Sequence, residues 1–78
     1  MVLNRGDIVK IKSADKIKSW QIKIFGYVVY KTHYINKIAG KEFEIFSFDN
    51  IDKYGSIEID GVEYEIFADD VEEILTQY

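Results

Sequence analysis

The sequence predicts a small, mainly β, single-domain fold, and three observations carry that expectation. Residues 57–66 alternate apolar and acidic side chains on either side of Asp60-Gly61. This is the pattern of two strands joined by a two-residue type I′ turn, because Asp and Gly both tolerate the positive φ that such a turn requires. Residues 8–12 and 41–48 repeat the alternation, which sets one side of each strand toward a core and the other toward water. The third observation is compositional: 78 residues with 47% hydrophobic and 31% charged content suffice for one core and one domain, residues 1–78, and lie far from disordered composition.

In chain order, Gly6-Asp7 reads as a turn feeding a strand over residues 8–12, with Val9 and Ile11 inward and Lys10 and Lys12 in water. Ser13 offers an N-cap hydroxyl to one or two helical turns over residues 14–19, where Asp15 complements the helix dipole. So short a helix needs packing to persist, and Ile17 and Trp20 are its expected anchors. Residues 21–30 alternate only from Ile22 to Ile24 and then turn apolar. Their β-branched and aromatic content predicts extended structure, with Gly26 as a bulge or turn. Thr32 is placed to cap a short helix over residues 33–39, and Gly40 to end it in the left-handed conformation.

The strand over residues 41–48 sets Phe43 and Ile45 inward and Glu42 and Glu44 outward, and a polar loop over residues 49–55 then leads to the hairpin. The hairpin turn fixes a register in which Ile59 faces Val62 and Ile57 faces Tyr64. Ile57, Ile59, Val62, Tyr64 and Ile66 then share one side, and Glu58, Glu63 and Glu65 the other. Ala68-Asp69-Asp70 reads as a 3₁₀ turn before a closing strand over residues 71–75.

This order of elements resembles the SH3-like barrels, in particular the small single-domain proteins of that type encoded by phages, prophages and Gram-positive bacteria. The likeness rests on Gly6, Asp7, Val9 and Ile11, on Gly40 and Lys41 before Phe43 and Ile45, on Ile57 and Ile59, and on the Asp70-Val71-Glu72 ending. These turn and core residues span most of the chain. The resemblance implies a five-stranded SH3-like barrel with short helical turns in an excursion, over about residues 13–40, between its first and second strands. It also implies a phage or other mobile-element origin. It does not extend to proline-rich ligands, because the aromatic pair of the first loop and the tryptophan pair before the hairpin are missing from the sequence.

Lacking cysteine, the chain has no disulfide, thiolate metal ligand or cysteine nucleophile. No apolar run approaches the roughly 18 residues of a membrane span, and residues 1–7 lack a signal-peptide pattern, so a cytoplasmic protein with no membrane partner is expected. Charge is divided unevenly within an acidic total of −4. Residues 1–41 carry nine basic side chains against two acidic ones, whereas residues 42–78 carry one against twelve. Either the halves form opposite faces or they interleave through cross-strand pairs, and interleaving is the expectation for an antiparallel barrel whose first and last strands meet.

The sequence offers no catalytic constellation, no metal-ligating pattern and no cofactor motif. His33 has no serine or carboxylate at a diagnostic spacing and reads as a structural histidine near a helix cap. Asp49-Asn50-Ile51-Asp52 lacks the spacing and the closing glutamate of a calcium loop, and Asp69-Asp70 with Glu72-Glu73 reads as a solvated acidic end. Glu58 and Glu63 face each other across the hairpin and call for a nearby cation, with Lys10, Lys12 or Lys41 as the expected source. Their alternative role is an acidic surface for a basic partner. Residues 16–37 interleave Lys16, Lys18, Lys23, Lys31 and Lys37 with Trp20, Phe25, Tyr27, Tyr30 and Tyr34, the mixture that single-stranded nucleic-acid platforms use. The plainer reading assigns most of these rings to the core. The expected function is therefore a non-enzymatic module that binds a protein partner. The alternative is a nucleic-acid-binding module using residues 16–37. The candidate binding residues are Trp20, Lys18, Lys23, Tyr30, Glu58 and Glu63.

Overall fold

The alternating segments at residues 8–12, 41–48 and 57–66 form strands, and the closing strand follows the 3₁₀ turn. In the computed structural model, which describes residues 1–76, these are β1 (Ile8–Ile11), β2 (Glu42–Asp49), β3 (Tyr54–Ile59), β4 (Val62–Phe67) and β5 (Val71–Thr76). All pair antiparallel in one sheet of order β4-β3-β2-β1-β5, so the first strand meets the last as expected. Among the described residues β4 and β5 do not pair with each other, and the sheet is not closed into a barrel.

The β3–β4 hairpin has the predicted register, Ile59 against Val62, Glu58 against Glu63 and Ile57 against Tyr64. Its turn puts Asp60 at φ 50° and Gly61 at φ 79°, as a type I′ turn demands. At the other end of β3, a Cβ on Gly55 would lie 2.1 Å from the Ser47 carbonyl oxygen and 2.7 Å from Phe48 Cα. Only glycine lets β3 approach β2 this closely. The intervening turn is shorter than the expected loop, since β3 already begins at Tyr54. Asp49 Oδ1 accepts from the N–H groups of Ile51 at 2.9 Å and Asp52 at 3.1 Å, which holds its carboxyl below the usual range.

The excursion departs from expectation. The helix α1 runs Ala14–Phe25, well beyond one or two turns, and ends at Gly26, whose N–H donates to Ile22 O at 2.9 Å. Ile22, Lys23, Ile24 and Phe25 are thus helical, not extended. Their strand propensity is a weak preference, overridden by the helical spacing of Ala14, Ile17, Gln21 and Ile24, in which a glutamine stands at a core position and disguises the apolar stripe. Ser13 does cap α1, accepting from Lys16 N at 3.4 Å. In α2 (Thr32–Ile38) Thr32 is the first helical residue, while the cap is Lys31, which supplies no side-chain bond.

The core is aliphatic. Leu3, Val9, Ile11, Ile17, Ile35, Ile38, Ile45, Ile57, Ile66 and Val71 form one buried cluster, whereas every aromatic ring among the described residues is only partly buried or exposed. At roughly 1.5–3 kcal/mol for each buried side chain of this kind, these ten form the enclosed centre, and rings such as Trp20, Tyr30, Phe43 and Phe48 pack against it without being enclosed, contrary to the expectation that a small domain spends its aromatics on its core. Leu3 joins because Asn50 holds the N-terminal arm: Leu3 N donates to Asn50 Oδ1 at 2.9 Å and Asn50 Nδ2 donates to Leu3 O at 2.8 Å.

The charged halves interleave. Lys10 lies opposite Glu42 on one side and Glu73 on the other, and Lys16 Nζ pairs with Glu72 Oε1 at 2.7 Å, a bond that holds the Glu72 carboxyl below its usual range.

Candidate functional site

Three segments distant in sequence converge on Asp70, the last residue of the 3₁₀ turn Ala68–Asp70. Its side chain reaches back to the start of its own turn, where Oδ2 accepts from Phe67 N at 2.8 Å. Trp20 of α1 donates from Nε1 to Oδ1 at 2.9 Å, and the Tyr30 hydroxyl, from the loop between the helices, donates to Oδ2. Asp70 is fully buried. Burial pushes its carboxyl above the usual range, against the pull of the Tyr30, Phe67 and Trp20 donors and the more distant Lys12 charge. Burial and then the Asp70 charge push the Tyr30 phenol far up, and burial, Asp70 and Glu65 do the same to Tyr34. Three donors on one buried carboxylate tie α1 and the loop after it to the 3₁₀ turn, as a latch.

A second tie holds the same loop. Gln21 of α1 is fully buried, and its Oε1 accepts from Val29 N at 2.9 Å and Tyr30 N at 3.2 Å. Its Nε2 has no hydrogen-bond partner among the described residues, and an unmade bond of this kind costs about 1–3 kcal/mol. Gln21 therefore contributes by fixing the loop at some expense to the core.

Around the latch runs a belt of rings. Trp20 lies 5.6 Å from Phe25 and 5.5 Å from Phe67, centroid to centroid, and Tyr30 stacks on Phe67 at 6.0 Å. The belt continues edge to face from Tyr30 to Tyr34 at 5.0 Å and then to Tyr64 at 5.8 Å, over which Lys37 Nζ sits 4.8 Å from the centroid. These separations fall in the attractive range for aromatic pairs. Tyr34 also donates its hydroxyl to Glu65 O. With Phe67 N already held by Asp70, two outward backbone groups at this end of the edge strand β4 are capped by side chains, which blunts pairing with another chain there.

Of the candidate residues, Trp20 and Tyr30 meet at Asp70. Lys18 and Lys23 stand exposed on α1 and, among the described residues, form no ion pair. Glu58 and Glu63 lie on the hairpin and take no part in the latch. The lysine expected to relieve them is not there: Ser56 Oγ donates to Glu63 Oε1 at 2.7 Å and also contacts Ser47 Oγ at 2.9 Å. His33 is exposed in the first turn of α2. The solvated acidic end is corrected at one position, since Asp70 is buried while Asp69, Glu72 and Glu73 are exposed.

Sequence reasoning placed Asp70 in a turn and a solvated acidic end but not in a buried site, and assigned no site role to Phe67 or Gln21. Two signals were present: a carboxylate three residues past the end of an apolar strand, where it can cap the N–H behind it, and a polar residue four places after Ile17 on one helix face. An open depression of about 330 Å³ lies among Met1, Lys53, Ala68 and Asp69 and includes none of the candidate residues. No helix among the described residues is long and apolar enough to cross a membrane. Comparison with family models, curated proteins and solved structures finds no match for this chain.

Proposed function

We propose that this protein is a non-enzymatic module that docks on a protein partner through the C-terminal end of α1 and the loop after it. The observation that carries the reading is a run of large exposed apolar side chains, Ile24, Phe25, Tyr27 and Val29, from the last turn of α1 into the loop after it, with Ile22 exposed on the opposite side of the helix. Single exposed apolar residues need no explanation, but a contiguous group marks an interaction surface. The SH3-like reading, with its phage or mobile-element origin and cytoplasmic setting, belongs to this proposal. Its support is the sequence resemblance together with β1 lying between β5 and β2 and a 3₁₀ turn before the last strand.

The nucleic-acid reading retains one supporting observation, the exposed lysines of residues 16–37. Trp20 and Tyr30 are less suited to it, because both are engaged by neighbouring rings and by Asp70.

Affinity capture from a bacterial lysate, with wild type and an Ile24→Asp, Tyr27→Asp variant run in parallel, tests the proposal. A protein retained by the wild type and lost by the variant is the expected result. Retention of the same proteins by both, or of nothing but a small metabolite, would sink the reading.

A further inference from the structure

We infer that this surface receives an acidic amphipathic helix of the partner, apolar side chains on Ile24, Phe25 and Tyr27 and carboxylates on Lys18, Lys23 and Lys31. The inference rests on the protein-docking reading and adds the chemistry of the partner. Its first ground is a helix face that outruns the body it packs on. Ile17, Gln21 and Ile24 share one face of α1 at spacings of four and three. Ile17 and Gln21 are 0% exposed, whereas Ile24 is 63% exposed, with Phe25 at 40% and Tyr27 at 64% beside it. The helix face that is buried through Ile17 and Gln21 thus continues uncovered at Ile24.

The second ground is preorganisation. Gln21 and the Tyr30–Asp70 bond hold the loop after Gly26 against α1 and the 3₁₀ turn, so the exposure belongs to a fixed surface, and little ordering cost falls on binding.

Charge selects the occupant. Lys18, Lys23 and Lys31 are exposed and free of ion pairs among the described residues, whereas Lys16 is already matched by Glu72 and Lys10 faces Glu42 and Glu73. Exposed apolar side chains and unmatched lysines carried on the same helix and loop complement a segment bearing both apolar and acidic side chains, and an amphipathic helix supplies those at i, i+3, i+4 spacing. A second copy docking the same surface about a two-fold axis would oppose lysine to lysine.

The probes are a synthetic amphipathic helix of Leu and Glu, its twin with every Glu replaced by Lys, and oligothymidylate, each titrated into the isotope-labelled full chain and followed by amide chemical shifts. The Leu/Glu helix is expected to perturb α1 from Lys18 onward and the loop through Lys31. Its affinity should fall at least about tenfold in Ile24→Asp and again in Lys18→Glu, Lys23→Glu. Both variants alter exposed positions, and an unchanged spectrum elsewhere shows that they fold. Equal binding of the two helices, or shifts confined to another face, overturns the acidic assignment while capture from lysate still upholds protein docking. Binding of oligothymidylate in place of the helix overturns both readings.

Discussion

The indole N–H of Trp20 donates to Asp70 Oδ1 at 2.9 Å across fifty positions of sequence. This bond joins the helical excursion to the turn that launches β5, and with the Tyr30 and Phe67 bonds it leaves the buried carboxylate fully engaged. Asp70→Asn keeps one acceptor oxygen but turns the other into a donor that faces two donors. A loss of about 2–3 kcal/mol in unfolding free energy is expected, against about 1–2 kcal/mol for Trp20→Phe, which deletes one bond and keeps a ring. Urea denaturation of the three proteins measures the order, and a more damaging Trp20→Phe would show that the ring matters more than the latch.

The Asp70 carboxyl also makes stability depend on pH. Burial raises its folded value above the ordinary 3.8, so the folded state holds this proton more tightly than the unfolded chain. Its contribution is fully present below the unfolded value and is lost as pH rises through the folded one. The unfolding free energy of wild type minus that of Asp70→Asn should therefore be larger near about pH 4 than near about pH 7. Asp49 and Glu72, whose carboxyls are lowered, act in the opposite sense but cancel in this difference. A flat difference would place Asp70 in contact with water.

Alkali provides a second titration. The phenols of Tyr30 and Tyr34 are raised far above the ordinary 10.0, so the stability they confer is present below about pH 10 and is lost at higher pH. Their ionisation, read from ultraviolet absorbance, should coincide with loss of the far-ultraviolet circular dichroism signal. Ionisation of every tyrosine before any loss of structure would contradict their burial.

Two places in the backbone restrict the residues they accept, one by close approach and one by positive φ. Gly55→Ala should cost about 1–3 kcal/mol or more, because the added methyl meets the Ser47 carbonyl and Phe48 Cα at distances that only a backbone shift relieves. Replacing Asp60-Gly61 by Val-Val should misregister the hairpin, since β-branched residues resist positive φ. Thermal unfolding of each variant checks both, and wild-type stability in either would mean that the strand approach or the turn differs from this geometry.

A fluorescence anisotropy titration with oligothymidylate at physiological salt should show no binding. Trp20, Phe25, Tyr30 and Tyr34 are packed against neighbouring rings, and the net charge of −4 opposes the phosphates not in contact with lysine. A submicromolar, salt-sensitive complex would return Trp20, Lys18, Lys23 and Tyr30 to the role of a nucleic-acid platform.

Local chemistry alone determined the strands, the type I′ turn at Asp60-Gly61, the cap at Ser13 and the left-handed Gly40, because period, turn residues and capping groups act over a few positions. The interleaving of charge was also legible, given antiparallel pairing of the first and last strands. Only the tertiary structure decided that residues 22–25 are helical, that the core is aliphatic, that Gln21 is buried, and that Asp70 is buried beneath Trp20 and Tyr30, donors forty or more positions away. The last turn of α1 shows this most clearly. Ile17 and Ile24 are the same residue type on the same helix face, yet one is enclosed and the other open to water, because burial depends on what the rest of the chain packs over each position, and no local pattern encodes that.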